Sequence, residues 1–231
     1  MRPQSSRQPV PVLGARGGIG CSTLTLGVGL AAADAGLRVV LVDTDVHGQG
    51  LSRLAGLVPG STSWATLSAS GPVAAPARML AGLPLCGGAR ILGFDGSAQF
   101  DTTAAPVVIS DLAADVDLVL MDMPLHLHMG QRWSPWPAVV LIGPDVTSLQ
   151  AAHRCVRGPW RAVGLCGRGP LSPDVVLASC GGARPVRVPQ VRGLEFAADF
   201  QDAARVLSRG SFARSCAVLL DRIREEPGDG G

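Results

Sequence analysis

Ten residues near the start of the chain carry the strongest chemical signal: Gly14-Ala15-Arg16-Gly17-Gly18-Ile19-Gly20-Cys21-Ser22-Thr23. They lie between a short apolar run, Val10–Leu13, and a long apolar stretch that reads as a helix from Cys21 to Ala35. A glycine-rich turn between a strand and a helix lets successive backbone N–H groups face an anion. The helix N-terminus adds roughly half a positive charge. The expected ligand is a nucleotide polyphosphate, cradled by Gly17, Gly18, Ile19, Gly20, Cys21, Ser22 and Thr23. The Ser22 hydroxyl is placed to ligate Mg²⁺.

Cys21 breaks the pattern. A phosphate-binding loop normally has a lysine there, reaching the β- and γ-phosphates. A thiol supplies no cation, and the chain contains no lysine at all: its 20 basic residues are all arginine. A contact ion pair is worth roughly 4 kcal/mol at an effective dielectric near 20. Nucleotide binding is therefore expected to weaken. Hydrolysis should suffer more, because the stabilised charge is largest in the transition state.

Two further carboxylates end apolar runs. Val39–Val42 closes on Asp43, followed by Thr44 and Asp45, and Leu118–Met121 closes on Asp122. Both runs read as parallel strands buried on two faces. An aspartate at a strand end is common by itself. Two of them downstream of a phosphate loop make coincidence a poor explanation.

Together these segments resemble the ParA/MinD family of P-loop ATPases. Arg16-Gly17-Gly18-Ile19-Gly20-Cys21-Ser22 is similar to that family's deviant Walker A loop, usually written KGGxGK[ST]. The resemblance implies that Arg16 stands for the signature lysine that crosses a nucleotide-sandwich dimer to the partner's phosphates. Arginine keeps the charge and adds a bidentate fork. Val40-Leu41-Val42-Asp43-Thr44-Asp45 resembles the second motif, which assigns Asp43 to the Mg²⁺ shell and Asp45 to orienting the attacking water. Leu118-Val119-Leu120-Met121-Asp122-Met123-Pro124 resembles Walker B, with Asp122 holding Mg²⁺ through water. Members usually select adenine with an asparagine at the end of a late strand. That region reads here as Leu177-Ala178-Ser179-Cys180-Gly181, and the chain has no asparagine, so Val188-Pro189-Gln190-Val191 is left to frame a base, Pro189 in particular.

Within the family, the closest resemblance is to the CpaE/TadZ-like branch, including CpaE-like septum-site-determining proteins of high-GC Gram-positives. The resemblance implies a homodimer that binds ATP (or ADP) with Mg²⁺. It also implies partners in Tad-type pilus or secretion assembly or in cell division, and a cytoplasmic chain recruited to the pole, septum or inner membrane face. The favoured reading is a nucleotide-responsive switch with little or no hydrolysis. An ATPase using Arg16 in trans and a nucleotide-free scaffold are the alternatives.

The elements that must position these residues follow from pattern. Strand–helix alternation predicts an α/β fold of three layers: a mostly parallel twisted sheet with helices on both faces. Further strands are expected at Ala89–Phe94, Ala138–Gly143, Val175–Ser179 and Val186–Val188, with helices at Thr103–Ala114, near Val146–Val156 and at Ser211–Arg224. Residues 48–76 are rich in Gly, Ser, Ala and Pro and promise at least one short helix. At 231 residues, 47% hydrophobic, the chain suits one domain over 10–225, with tails at 1–9 and 226–231.

Other functions are weaker. The opening residues are polar and lack a signal peptide's apolar stretch. The six cysteines form no CxxC pair, which suits a reducing compartment, and none follows the second motif or Walker B as the resemblance would require of the superfamily's iron–sulfur reductases. The absence of tyrosine argues against its tyrosine kinases. Residues 1–150 carry 8 arginines against 10 acids and residues 151–231 carry 12 against 8, too even a balance for a nucleic-acid surface. His126 and His128 could share a strand face, but a metal needs a third ligand. Trp133 and Trp136 are expected in core or loop packing rather than on a partner surface. The last helix carries Phe212, Cys216, Leu219, Leu220 and Ile223 on one stripe. Docking on the sheet is favoured over weak peripheral membrane contact, since the acidic Glu225-Glu226 follows it.

Overall fold

The apolar runs that end in Asp43 and Asp122 are neighbouring strands. The computed structural model describes residues 8–69, 76–96, 100–128, 136–155, 160–180, 185–199 and 202–225. In chain order, β1 (Val10–Gly14), α1 (Cys21–Asp34) and β2 (Val39–Asp43) come first. Three short helices follow: α2 (Gly50–Leu54), α3 (Trp64–Ala69) and α4 (Pro76–Gly82). The hairpin β3 (Leu85–Cys86) and β4 (Ala89–Leu92) precedes α5 (Ala105–Asp115), β5 (Leu118–Met123) and α6 (Leu125–His128). Next come β6 (Ala138–Ile142), α7 (Val146–Cys155), β7 (Trp160–Cys166), α8 (Pro173–Ser179) and β8 (Val186–Val188). The helices α9 (Leu194–Asp199), α10 (Ala203–Leu207) and α11 (Gly210–Arg224) close the chain.

The strands form one sheet in the order β3-β4-β2-β5-β1-β6-β7-β8, parallel except where β3 pairs with β4. The order reverses direction at β1, so the glycine-rich loop that follows it leaves the sheet from its centre. Ligands of open α/β sheets bind at such carboxyl-end crevices. Strand periodicity divides the core in two. Val10, Val12, Leu41, Leu120 and Leu141 pack under α1, α2, α10 and α11. Leu13, Val40, Val42, Met121 and Val140 pack under α5, α7 and α8 on the other face. The α/β fold with helices on both faces is thus as expected.

α1 lies unusually close to its neighbours. A Cβ built on Gly27 would fall 2.5 Å from the Phe212 ring and 2.7 Å from Cys216 Sγ of α11. A Cβ on Gly29 would fall 2.5 Å from Leu41 Cδ2 of β2. Glycine at these two positions lets α1 touch both the sheet and α11. The apolar stripe of α11 (Phe212, Cys216, Leu219, Leu220, Ile223) is buried in this contact. Its C-terminal turn is held by Arg161 of β7, which donates to the carbonyls of Ile223 and Glu225. The stripe is committed to the core, and no helix among the described residues is long and apolar enough to cross a membrane.

Two expectations need correction. Val175–Ser179 is not a strand but most of α8. Pro173 stands at the start of this helix, and Ser172 Oγ accepts from the Val175 N–H at 3.3 Å, an N-terminal cap. The late strand is instead β7, Trp160–Cys166, which sequence patterning misses because Arg161 and Gly164 interrupt its apolar run. Gly164 is required there: a Cβ would meet Leu141 Cδ1 at 2.7 Å. The residues that follow the late strand are therefore Gly167 and Arg168, not Cys180 and Gly181. Smaller differences are that the strand from Ala89 ends at Leu92 and that Trp133 lies outside the described residues.

Candidate functional site: a glycine-rich loop above two buried aspartates

The loop after β1 rises over the sheet and returns into α1. Gly18 and Gly20 take φ of 69° and 104°, conformations that favour glycine. Gly14 is enclosed: an added Cβ would meet Cys21 Sγ at 2.7 Å and Ile19 Cγ2 at 2.8 Å. Gly17, Gly18 and Gly20 are the reverse, with nothing within 4 Å of an added Cβ. They leave the backbone bare on the side of a cavity of about 1150 Å³, which Gly14 and residues 16 to 23 also line. Gly20 gives α1 no side-chain cap, and no acidic residue stands in its first turn. The first-turn amides and the positive helix end thus remain available to an anion.

Below the loop lie the aspartates. Asp43 and Asp122 are register partners across β2 and β5. Asp43 is fully buried. Its Oδ2 accepts from the Ser52 N–H (2.9 Å) and Ser52 Oγ (2.7 Å), and its Oδ1 from the Asp45 N–H (3.0 Å). It lies behind the cavity wall, anchoring α2. Ser52 Oγ in turn accepts from the Phe94 N–H at 3.0 Å.

Asp122 faces the cavity. Ser22 stands beside it and favours its charged form, while Oδ2 is buried with no hydrogen-bond partner among the described residues. Burial, and then the charge of Asp43, push its carboxyl up to about 7. Burial raises Asp43 as well. Such a carboxylate is one that a cation would relieve.

The remaining candidates sort around this centre. Ser22, Asp45, Asp122 and Pro189 all line the cavity. Asp45 Oδ1 accepts from the His47 and Gly48 N–H groups at 3.3 and 3.0 Å, shaping the turn into α2. The Cys21 thiol is pushed well up, by burial first and then by Asp122 and Cys166, so it stays neutral. Arg16 lies on the rim with its side chain 62% exposed, 4.0 Å from Asp145 Oδ2. Asp145 caps α7, accepting from the Ser148 N–H (2.8 Å) and hydroxyl (2.9 Å). The two histidines do not pair: His126 is exposed at the cavity wall and His128 is buried in the core. No group of metal-ligating side chains including them is found among the described residues. Sequence reasoning missed Arg53 and Arg192, which also line the cavity. The spacing of Arg53 from Gly50, one helical turn, was the available signal for the first.

No protein-family model matches the chain, and no curated protein matches it. Solved structures do. A ParA family ATPase from Chlorobium tepidum TLS superposes with a TM-score of 0.74 at 13% identity, covering 92% of this chain and 99% of that one. The fold is that of the ParA and MinD ATPases. The MinC:MinD cell division protein complex of Aquifex aeolicus gives 0.73 at 17% identity, covering 95% and 97% of the two chains. The septum site-determining protein MinD complexed with Mg-ADP from Pyrococcus horikoshii OT3 gives 0.71 at 17%, covering 94% and 97%. The shared fold sets β1, and with it Gly14–Thr23, at the centre of this chain's sheet.

Proposed function

We propose that the chain is an ATP-binding, dimerising spatial regulator of the ParA/MinD type, acting with pilus, secretion or septum machinery, with weak or absent hydrolysis. One observation carries this reading. A bare glycine wall and the uncapped end of α1 face Asp122, a buried carboxylate beside Ser22 with one oxygen short of a partner. The donor set suits Mg²⁺, which takes few carboxylates and keeps several waters. Ser22 and Asp122 would hold the metal, whose charge offsets that of the phosphates, while Asp43 sets the local field from behind. The loop amides would hold the phosphates, and the wall from Val188 through Leu194, with Pro189, would frame the base. The link to septum or pilus machinery rests on the motif resemblance and on the MinD proteins sharing the fold.

Cys21 leaves the transferred phosphoryl group without its usual ammonium, which favours binding over turnover. Arg16, exposed on the rim, is placed to meet a second copy. Calorimetric titration with ATP–Mg²⁺ and a turnover assay at high protein concentration test the reading. Binding without turnover is expected. Turnover that vanishes in Arg16→Ala would show a working ATPase instead. Absence of binding at millimolar ATP would sink the nucleotide reading.

A further inference from the structure

With a neutral thiol at position 21, the cavity needs another cation beside the phosphates. Three arginines among the described residues line it: Arg16, Arg53 and Arg192. Arg16 is turned toward Asp145 on the rim. Arg192 belongs to the segment after β8. Arg53 differs in where its helix is seated. α2 begins at Gly50, and a Cβ there would fall 2.5 Å from Ser22 Oγ, so that face of α2 touches the first turn of α1. Arg53 is three residues on, and positions i and i+3 share a helix face. Its side chain is exposed, enters the cavity wall and makes no ion pair among the described residues. The residues around it are fixed: Leu51, Ser52 and Leu54 are buried, and Ser52 is clamped to Asp43.

We propose that Arg53 supplies, within one chain, the phosphate-binding cation that position 21 no longer provides. The proposal rests on the nucleotide reading above and adds the residue that makes it work. A guanidinium presents a planar fork matched to phosphate oxygens, so from α2 it can bind an oxyanion held by the loop amides. The assignment also ties the polyphosphate to the second motif, because α2 is fastened to β2 through Ser52 and Asp43.

The test is calorimetric titration of the full chain with ATP–Mg²⁺, and with inorganic tripolyphosphate as a probe lacking the base. Arg53→Ala and Arg53→Gln should each lose about tenfold or more in affinity for both ligands. Arg209→Ala, an exposed arginine outside the cavity, should stay within about twofold of the parent. In a Cys21→Lys background the Arg53→Ala loss should shrink to about threefold or less, because the ammonium takes over the contact. Circular dichroism melts confirm that the variants fold. An Arg53→Ala chain that binds ATP as the parent does would overturn the assignment and leave the nucleotide reading standing. A parent that binds neither ligand removes both.

Discussion

Asp43 and Asp122 stand side by side at the ends of β2 and β5, and only Asp122 reaches the cavity. Asp43 is hydrogen-bonded by Ser52 and by the Asp45 amide, which offset part of the upward push of its burial. Asp122 is raised to about 7, by its burial first and then by the charge of Asp43.

That shift sets a pH dependence. An unfolded aspartate titrates near 3.9, so between about pH 4 and pH 7 the folded chain keeps a proton that the unfolded chain releases. Stability of the metal-free chain should therefore fall as pH rises through this window, by an amount on the order of a few kcal/mol. Asp122→Asn should flatten the slope and melt higher than the parent at pH 8, by roughly 5–10 °C. The two should converge near pH 4. Thermal melts across pH check this, and parallel curves would refute it. Mg²⁺-dependent nucleotide binding should tighten from pH 6 to pH 8, because metal and proton compete for Asp122.

Restoring the ammonium is the complementary change. Cys21→Lys should tighten ATP–Mg²⁺ binding by about tenfold or more, since a contact ion pair is worth several kcal/mol before desolvation. It should also lower the Asp122 carboxyl by placing a cation beside it. Titration calorimetry at two pH values reads both effects. Unchanged affinity would show that position 21 does not face the phosphates.

Asp145 separates architecture from chemistry. It caps α7 through Ser148 and meets Arg16 only at 4.0 Å, in solvent. Asp145→Ala should cost about 1 kcal/mol, the usual worth of an N-cap. Asp145→Asn should retain most of the stability because asparagine caps as well. ATP affinity should be the same for both. A large affinity change in either variant would mean that the Arg16 contact matters within a single chain.

Gly27→Ala tests the seat of α1. Alanine favours a helix by up to about 1 kcal/mol, but its methyl would collide with Phe212 and Cys216. The net effect should be destabilising by about 1–3 kcal/mol, read as a lower melting temperature. A stabilised variant would mean that α11 is free to move away.

Much of this arrangement is legible in the chain because its signals are local. Val39–Asp43 and Leu118–Asp122 announce themselves as uninterrupted apolar runs, which a strand buried on both faces requires. The loop after β1 is written in glycines whose positions the backbone dictates. β7 is hidden because Arg161 serves the end of α11 and Gly164 serves a close contact with Leu141; both are tertiary demands that spoil a local pattern. α8 shows the opposite error, where Val175 and Val176 suggest a strand but Ser172 and Pro173 start a helix. The part played by Asp43 is illegible for a related reason. Its partner, Ser52, lies nine residues away in a segment without clear periodicity, and only the fold joins them.

The Ser52 hydroxyl has a reach beyond the aspartate it serves. By accepting the Phe94 amide while donating to Asp43, it couples α2 to the strand edge beyond β4. Phe94 packs edge-on against Phe100, which packs edge-on against Trp64, and the Trp64 indole returns to the Asp43 carbonyl at 2.7 Å. The circuit is closed, so any tilt of α2 would be passed to an indole buried on the opposite face of the sheet. Under the proposed nucleotide reading, the emission of Trp64 should change when ATP–Mg²⁺ is added, and an unchanged spectrum would show that α2 does not tilt.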